Sequence, residues 1–256
     1  MRLLVVDIGN SSAKAGVLED GVVIASMHIR SKELREPGNR LYLWMAEWAK
    51  QVIGLSFCSV VPAANVYLEK AAEQLGMEVY NLSDRTISSI EIDYPRPSEI
   101  GQDRLANALG GKRVATWPLV IIDFGTAVTF DVIDWRGAYC GGVILPGLNL
   151  LTSYLHEKTA LLPQVDLEDR SPVRAIGKTT VEAIRAGYAY GFEGMVENIL
   201  AAIDKELAVE DQSGKGAEVI TTGGSVPWIA GKLVSGFPYH PDLTFLGLEA
   251  GFYSRS

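Results

Sequence analysis

The stretch Leu3-Leu4-Val5-Val6-Asp7-Ile8-Gly9-Asn10-Ser11-Ser12-Ala13-Lys14 decides the fold. An apolar run ends on an acid, a glycine and three small polar residues, then resumes through Val17-Leu18. Glu19-Asp20-Gly21 follows as a turn, and Val22-Val23-Ile24-Ala25 supplies a third apolar run. An Asp-Gly pair between apolar runs is a strong hairpin signal. The segment therefore reads as strand, tight polar turn, strand, turn, strand. Gly9 lets a ligand come close to the main chain. The N–H groups of the turn, with the side chains of Asn10, Ser11 and Ser12, form a concave set of donors suited to phosphate oxygens. Asp7 repels phosphate directly but suits a hydrated Mg²⁺ that bridges to it. Lys14 brings a point charge back over the turn. Taken alone, the segment is read equally well as an ordinary hairpin with polar turn residues.

The pattern occurs twice. Val120-Ile121-Ile122-Asp123-Phe124-Gly125-Thr126-Ala127-Val128-Thr129 repeats the apolar run, acid, glycine and hydroxyl, and Trp135-Arg136-Gly137 repeats the second turn. Asp7 matches Asp123, Gly9 matches Gly125 and Gly21 matches Gly137 at one constant offset, close to half the chain. A fixed offset of this kind indicates two similar halves. Two phosphate-type turns, one per half, point to a nucleotide held in the cleft between them.

Composition excludes several classes. The 256 residues are enough for one large or two compact domains, and 48% apolar with 21% charged residues is ordinary for a globular protein. With 31 acids against 23 bases the net charge is −8, which argues against nucleic acid as a partner. Cys58 and Cys140 are too few for a disulfide framework or a structural zinc site, and both read as reduced packing residues. Met1 leads straight into a strand without a signal-type segment, and no apolar run approaches membrane-spanning length. The expectation is a cytoplasmic enzyme without a membrane partner. There is no Gly-x-x-x-x-Gly-Lys-Ser/Thr sequence, so a P-loop kinase is not expected.

The paired turns resemble the actin-like ATPase superfamily, which includes sugar kinases, acetate kinase and chaperone ATPases. Gly101-Gln102-Asp103-Arg104, the run 123–129, Gly141-Gly142-Val143-Ile144-Leu145-Pro146-Gly147 and Thr222-Gly223-Gly224 stand in the order seen in type III pantothenate kinases. The resemblance covers essentially the whole chain. It implies an α/β fold of two similar actin-like (ribonuclease H-like) domains, with mixed sheets flanked by helices and the nucleotide in the interdomain cleft. The expected division is 1–113 and 114–256, with the terminal helix free to pack back on the first domain.

The resemblance also implies ATP-dependent phosphorylation of pantothenate to 4′-phosphopantothenate, the first step of coenzyme A biosynthesis. An acid–base pair at a helix start is usually a cap or a salt bridge. The resemblance makes Asp103 the catalytic carboxylate that orients the acceptor hydroxyl and takes its proton. Tyr94, Gly101, Gln102, Arg104 and Thr180 then contact pantothenate. Gln102 departs from the small or aliphatic residue usual at its position. For ATP the matching positions are Asp7, Gly9, Asn10, Ser11, Ser12, Lys14, Gly125, Thr126, Gly223 and Gly224. Asp123 is expected to bind a monovalent cation, K⁺ or NH₄⁺, with Asp131 in reserve, and Asp7 to hold Mg²⁺ through water. The segment 141–147, too rich in special backbone for a plain strand, is expected at a homodimer interface. The alternatives are a kinase of the same fold for another small hydroxy acid, which Gln102 favours, and a non-catalytic accessory or regulatory homologue.

Elsewhere, periodicity predicts helices over 39–52, 65–75 (closed by Gly76), 105–109 and 148–155. Buried strands are expected over Gly54–Pro62 and Met77–Tyr80. Thr179-Thr180-Val181-Glu182 is a capping box that opens a helix to about Leu207, ended by Asp211-Gln212-Ser213-Gly214. Glycines 187, 191 and 194 on that helix suggest close packing.

Overall fold

The computed structural model describes residues 1–166, 172–210, 216–225 and 236–255. The stretch Asp211–Gly214 lies outside them. In chain order the described elements begin β1 (Arg2–Ile8), β2 (Ser12–Glu19), β3 (Val22–Arg30), α1 (Arg40–Trp48), β4 (Leu55–Ser59), α2 (Pro62–Gln74), β5 (Val79–Asn81) and α3 (Gln102–Val114). They continue with β6 (Leu119–Phe124), β7 (Ala127–Ile133), β8 (Tyr139–Pro146), α4 (Leu148–Lys158), α5 (Thr180–Glu210), β9 (Glu218–Thr222) and α6 (Leu243–Ser254). The chain forms two compact units: Met1–Ala115, Gly137–Tyr139 and Asp242–Ser256, and then Thr116–Arg136 with Cys140–Pro241.

The first unit holds a five-stranded sheet in the order β3-β2-β1-β4-β5. β1, β2 and β3 form an antiparallel meander, and β4 and β5 add in parallel through helical crossovers. Asp20 (φ 50) and Gly21 (φ 82) form the two-residue turn between β2 and β3, both in the left-handed region that such hairpins require. Leu3, Leu4, Val5 and Val6 are wholly buried on the central strand. Each such side chain contributes about 1.5–3 kcal/mol on burial. The second unit repeats the plan with the order β8-β7-β6-β9, where β6 is antiparallel to β7 and parallel to β9. A parallel bridge from Thr221 to Tyr239 stands where the first sheet has its fifth strand. Meander then parallel crossover, twice over, is the ribonuclease H-like arrangement of the actin-like fold.

In the first unit the placement of α3 follows from glycine contacts with α6. A Cβ on Gly247 would stand 1.8 Å from the Ala106 carbonyl oxygen, and one on Gly110 would stand 2.2 Å from that of Leu243. Only bare backbone allows this crossing. The Thr244 hydroxyl donates to Asn107 Oδ1 (2.7 Å) beside it, and buried Glu249 accepts from Arg113 and from the Gly21 amide. The hairpin turn, α3 and α6 are thereby tied together.

Four local expectations are corrected. Glycines 187, 191 and 194 are not sites of close packing, since a Cβ built on each meets nothing within 4 Å among the described residues. Pro62 does not end a strand. It opens α2, where its missing N–H costs nothing, and β4 stops at Ser59. The glycine-rich segment 141–147 contributes to an eight-residue strand, β8, with Gly141 (φ 126) and Gly142 (φ 154) accommodated inside it. α1 ends at Trp48, short of Val52. Gly76 (φ 68) does close α2, and Thr179 accepts from the Glu182 amide at the start of α5.

Candidate active site

Asp7 lies half-buried near the end of β1, and Lys14 stands directly across from it on β2. Directly opposed residues on an antiparallel pair bring their side chains to one face. Between them the turn is closed by Gly9 N–H donating to Ser12 O (3.0 Å), with Asn10 and Ser11 exposed. On the other side of β1, Cys58 occupies the parallel register position opposite Asp7 and donates its thiol to Asp7 Oδ1 at 3.4 Å. Burial, then the nearby charges of Asp7 and Asp103, push the Cys58 thiol well above its ordinary range. It is a neutral donor and not a nucleophile. One buried thiol thus senses both carboxylates.

Asp103 sits in the first turn of α3, where the helix N-terminus favours a negative charge. Its Oδ1 accepts from the Arg104 amide at 2.9 Å. Desolvation outweighs that bond and the Arg104 charge, so its carboxyl is held above the ordinary aspartate value. Raised and poised, a carboxylate is a better proton acceptor than a solvated one. Gly101 precedes the helix, and its missing side chain leaves room for Asp103: a Cβ there would meet Asp103 Oδ1 at 2.5 Å.

Gln102 does not simply face a substrate. Its Oε1 accepts from Ser59 N–H at 2.8 Å, which fixes its amide orientation because only the oxygen can accept. The contact joins the first turn of α3 to the end of β4, one residue from Cys58. The Arg104 guanidinium stands 5.9 Å from the centre of the Tyr139 ring, a cation–π distance, and Tyr94 packs against the same ring at 6.5 Å. Tyr139 is wholly buried and escaped the sequence reading, as did the link from Cys58 to Asp7. The constant offset carries no signal for either, since both depend on pairing and packing between residues far apart in the chain. The first unit therefore gathers Asp7, the turn 9–12, Lys14, Tyr94 and 101–104 around the ends of β1 and β4 and the start of α3.

In the second unit Asp123 closes in on two glycines. A Cβ on Gly223 (φ 98) would stand 2.4 Å from Asp123 Oδ1, and one on Gly125 would stand 3.6 Å from it. This is a carboxylate in a cradle that side chains would fill. Thr126 is exposed at the turn, and Gly224 follows Gly223 on the surface. Asp131 is wholly buried and accepts from Thr129, which stands opposite Asp123. Thr180 opens α5 and borders an apolar groove of about 560 Å³ with Leu151, Ala183, Ile184 and Tyr188. Among the described residues no group of three or more His, Cys, Asp or Glu side chains is arranged for a metal, and no helix is long and apolar enough to cross a membrane.

Comparisons with known proteins bear on the family and the fold. Residues 3–202 match the family model described as type III pantothenate kinase. A type III pantothenate kinase of Methylacidiphilum infernorum is 39% identical over 250 residues, covering 96% of this chain and 86% of its own. That of Rubrobacter xylanophilus is 35% identical, covering 96% of each. Among solved structures, a protein of Campylobacter jejuni described as a conserved Baf family transcriptional activator superposes with a TM-score of 0.59 at 18% identity, covering 98% of this chain and 97% of its own. That likeness speaks to the fold. The sequence relationships identify the family, and the chain belongs to the type III pantothenate kinases.

Proposed function

We propose that this chain transfers the γ-phosphoryl group of ATP to the primary hydroxyl of pantothenate, giving 4′-phosphopantothenate at the start of coenzyme A biosynthesis. The observation that carries the reading is Asp103: a carboxylate raised by desolvation, at a helix start, on the family's Gly-x-Asp-Arg motif. Asp103 accepts the hydroxyl proton as the phosphoryl group arrives, and its oxygen orients that hydroxyl in line. Phosphoryl transfer asks little covalent chemistry of a protein, so positioning and charge do most of the work.

The turn 9–12 takes phosphate oxygens with Asn10, Ser11 and Ser12, and Lys14 adds positive charge across from Asp7. Gly125, Thr126, Gly223 and Gly224 contribute further ATP contacts. Arg104, braced on Tyr139, presents a fork of donors to pantothenate, with Tyr94, Gly101 and Gln102 in the same unit, and Thr180 of the second unit is assigned to pantothenate as well. Mg²⁺ and a monovalent cation, when bound, offset phosphate charge. Asp7 fits the first, since a single carboxylate suits an ion that keeps most of its waters. Asp123, in its glycine cradle, fits the second. In this reading residues 1–113 carry Asp103, the other acceptor contacts around it and the first phosphate turn, and 114–256 carry Thr180 and the second turn. The enzyme works in the cytoplasm as a homodimer. Ile144, Leu150, Tyr154 and Tyr190, exposed on the second unit, supply apolar surface for a second copy.

The test is product formation. The protein is incubated with ATP, Mg²⁺ and pantothenate in K⁺ or Na⁺ buffer, and 4′-phosphopantothenate is followed by mass spectrometry. Product that depends on ATP and rises in K⁺ supports the assignment. No product from folded, ATP-binding protein overturns pantothenate as the acceptor.

A further inference from the structure

Ser31 follows β3 and is only 6% exposed, yet it makes two polar contacts with the first phosphate turn. Its hydroxyl donates to Gly9 O at 2.5 Å, and its amide donates to Ser11 O at 3.1 Å. A trans peptide points its C=O and N–H in opposite directions, and no cis bond occurs in this turn among the described residues. Holding the Gly9 carbonyl toward buried Ser31 therefore turns the Asn10 N–H away from the interior. Holding the Ser11 carbonyl does the same for the Ser12 N–H. The amides of Asn10 and Ser11 find no protein acceptor among the described residues, and both residues are exposed.

The second unit repeats half of the device. Gly147 stands from Ser31 at the same separation as Gly125 from Gly9. Its amide donates to Thr126 O at 3.0 Å, with no side chain to add a second bond. The backbone brace belongs to both turns. The hydroxyl brace is supplied by Ser31, and Gly147 has no side chain to supply one.

We propose that Ser31 is a positioning residue for ATP: its buried hydroxyl pins the Gly9 carbonyl and so presets the Asn10 amide toward phosphate. This rests on the assignment of the 9–12 turn to ATP. Without the hydroxyl the peptide between Gly9 and Asn10 is free to turn, and a carbonyl facing phosphate oxygens repels them. The effect falls on nucleotide affinity and leaves the acceptor site on α3 alone.

The experiment compares Ser31→Thr with Ser31→Val, which share a shape and differ in the hydroxyl, together with Ser31→Ala. For each, KM for ATP, KM for pantothenate, kcat and the Kd of a non-hydrolysable ATP analogue are measured, with far-UV circular dichroism as the folding control. The Val and Ala variants are expected to raise KM for ATP and the analogue Kd by about 3- to 10-fold, the worth of one hydrogen bond. Thr is expected to stay within about twofold of wild type, and pantothenate KM to hold in all three. Equal ATP affinity in the Thr and Val variants overturns the proposal. So does a parallel rise in both KM values, or unfolding of the Val and Ala variants, because the hydroxyl then supports the domain and not the turn. If wild-type protein binds no ATP analogue, the assignment of the turn itself fails, and that result is distinct from all of these.

Discussion

Gly101→Ala separates the fold from the chemistry in a single methyl group. The Gly101 backbone (φ −58, ψ 136) is open to any residue, so alanine introduces no backbone strain. Its Cβ, however, falls 2.5 Å from Asp103 Oδ1, where ordinary contact begins at 3.4 Å. The next neighbour, Arg104 Cγ, is at an acceptable 3.6 Å. The atom that must give way is therefore the end of the Asp103 side chain, which retreats by about 1 Å. A displacement of this size at a reacting group costs about 100-fold in rate. The stability cost is that of a poorer N-cap, about 0.5–1 kcal/mol, or a fall in Tm of about 1–4 °C. The assay is steady-state kinetics at saturating ATP and pantothenate, beside a thermal melt. A kcat about 100-fold lower with a nearly unchanged melt is the expected pair. A folded variant whose kcat stays within about threefold of wild type, or which changes only the KM for pantothenate, refutes the claim that Asp103 is the positioned proton acceptor.

Further outcomes follow from the same contacts. Gly247→Ala meets the Ala106 carbonyl oxygen at 1.8 Å, a backbone atom that cannot swing aside. It should cost about 3 kcal/mol and lower Tm by about 6–12 °C, as calorimetry or a thermal melt will show. Because burial raises the Asp103 carboxyl above the ordinary 3.8, kcat should be lost as pH falls through that raised value. The acidic limb of a pH–kcat profile should therefore lie above the usual aspartate range, and a limb at or below it contradicts the desolvated base. The stability sign is opposite. The folded state holds this proton more tightly than the unfolded one, so the Asp103 contribution to stability is lost as pH rises from the ordinary value through the raised one. Asp103→Asn should accordingly melt above wild type at neutral pH, with the gain vanishing in acid.

Much of the fold was legible because its signals are local and repeated. Asp20-Gly21 specifies a hairpin whatever lies around it, and the recurrence of acid, glycine and turn glycine announces two copies of one topology. Asp103 and Arg104 were legible through a motif, since chemistry restricts residue types at short spacing. The missing parts are those that depend on pairing between distant strands. Nothing near Cys58 in the chain says that it lies opposite Asp7, and the position that made it look like a packing residue also makes it a thiol donor. Tyr139 begins a strand of the second sheet yet packs with the first unit, so no window of sequence links it to Arg104. Pro62 was misread for a different reason: proline ends a strand and opens a helix equally well, and the side chains before it fit both. Gly141 and Gly142 looked incompatible with a strand, but β8 takes both at positive φ.

The central claim is that Asp103 carries the acceptor chemistry of a pantothenate kinase, and Asp103→Asn tests it most directly. The amide keeps the size of the carboxylate and removes its basicity. Wild type and variant are compared for 4′-phosphopantothenate formation from ATP, Mg²⁺ and pantothenate in K⁺ buffer, with binding of a non-hydrolysable ATP analogue measured in parallel. The account predicts a kcat lower by about 10²- to 10⁴-fold, with analogue affinity retained. Turnover within a few-fold of wild type contradicts it and moves the proton to another group.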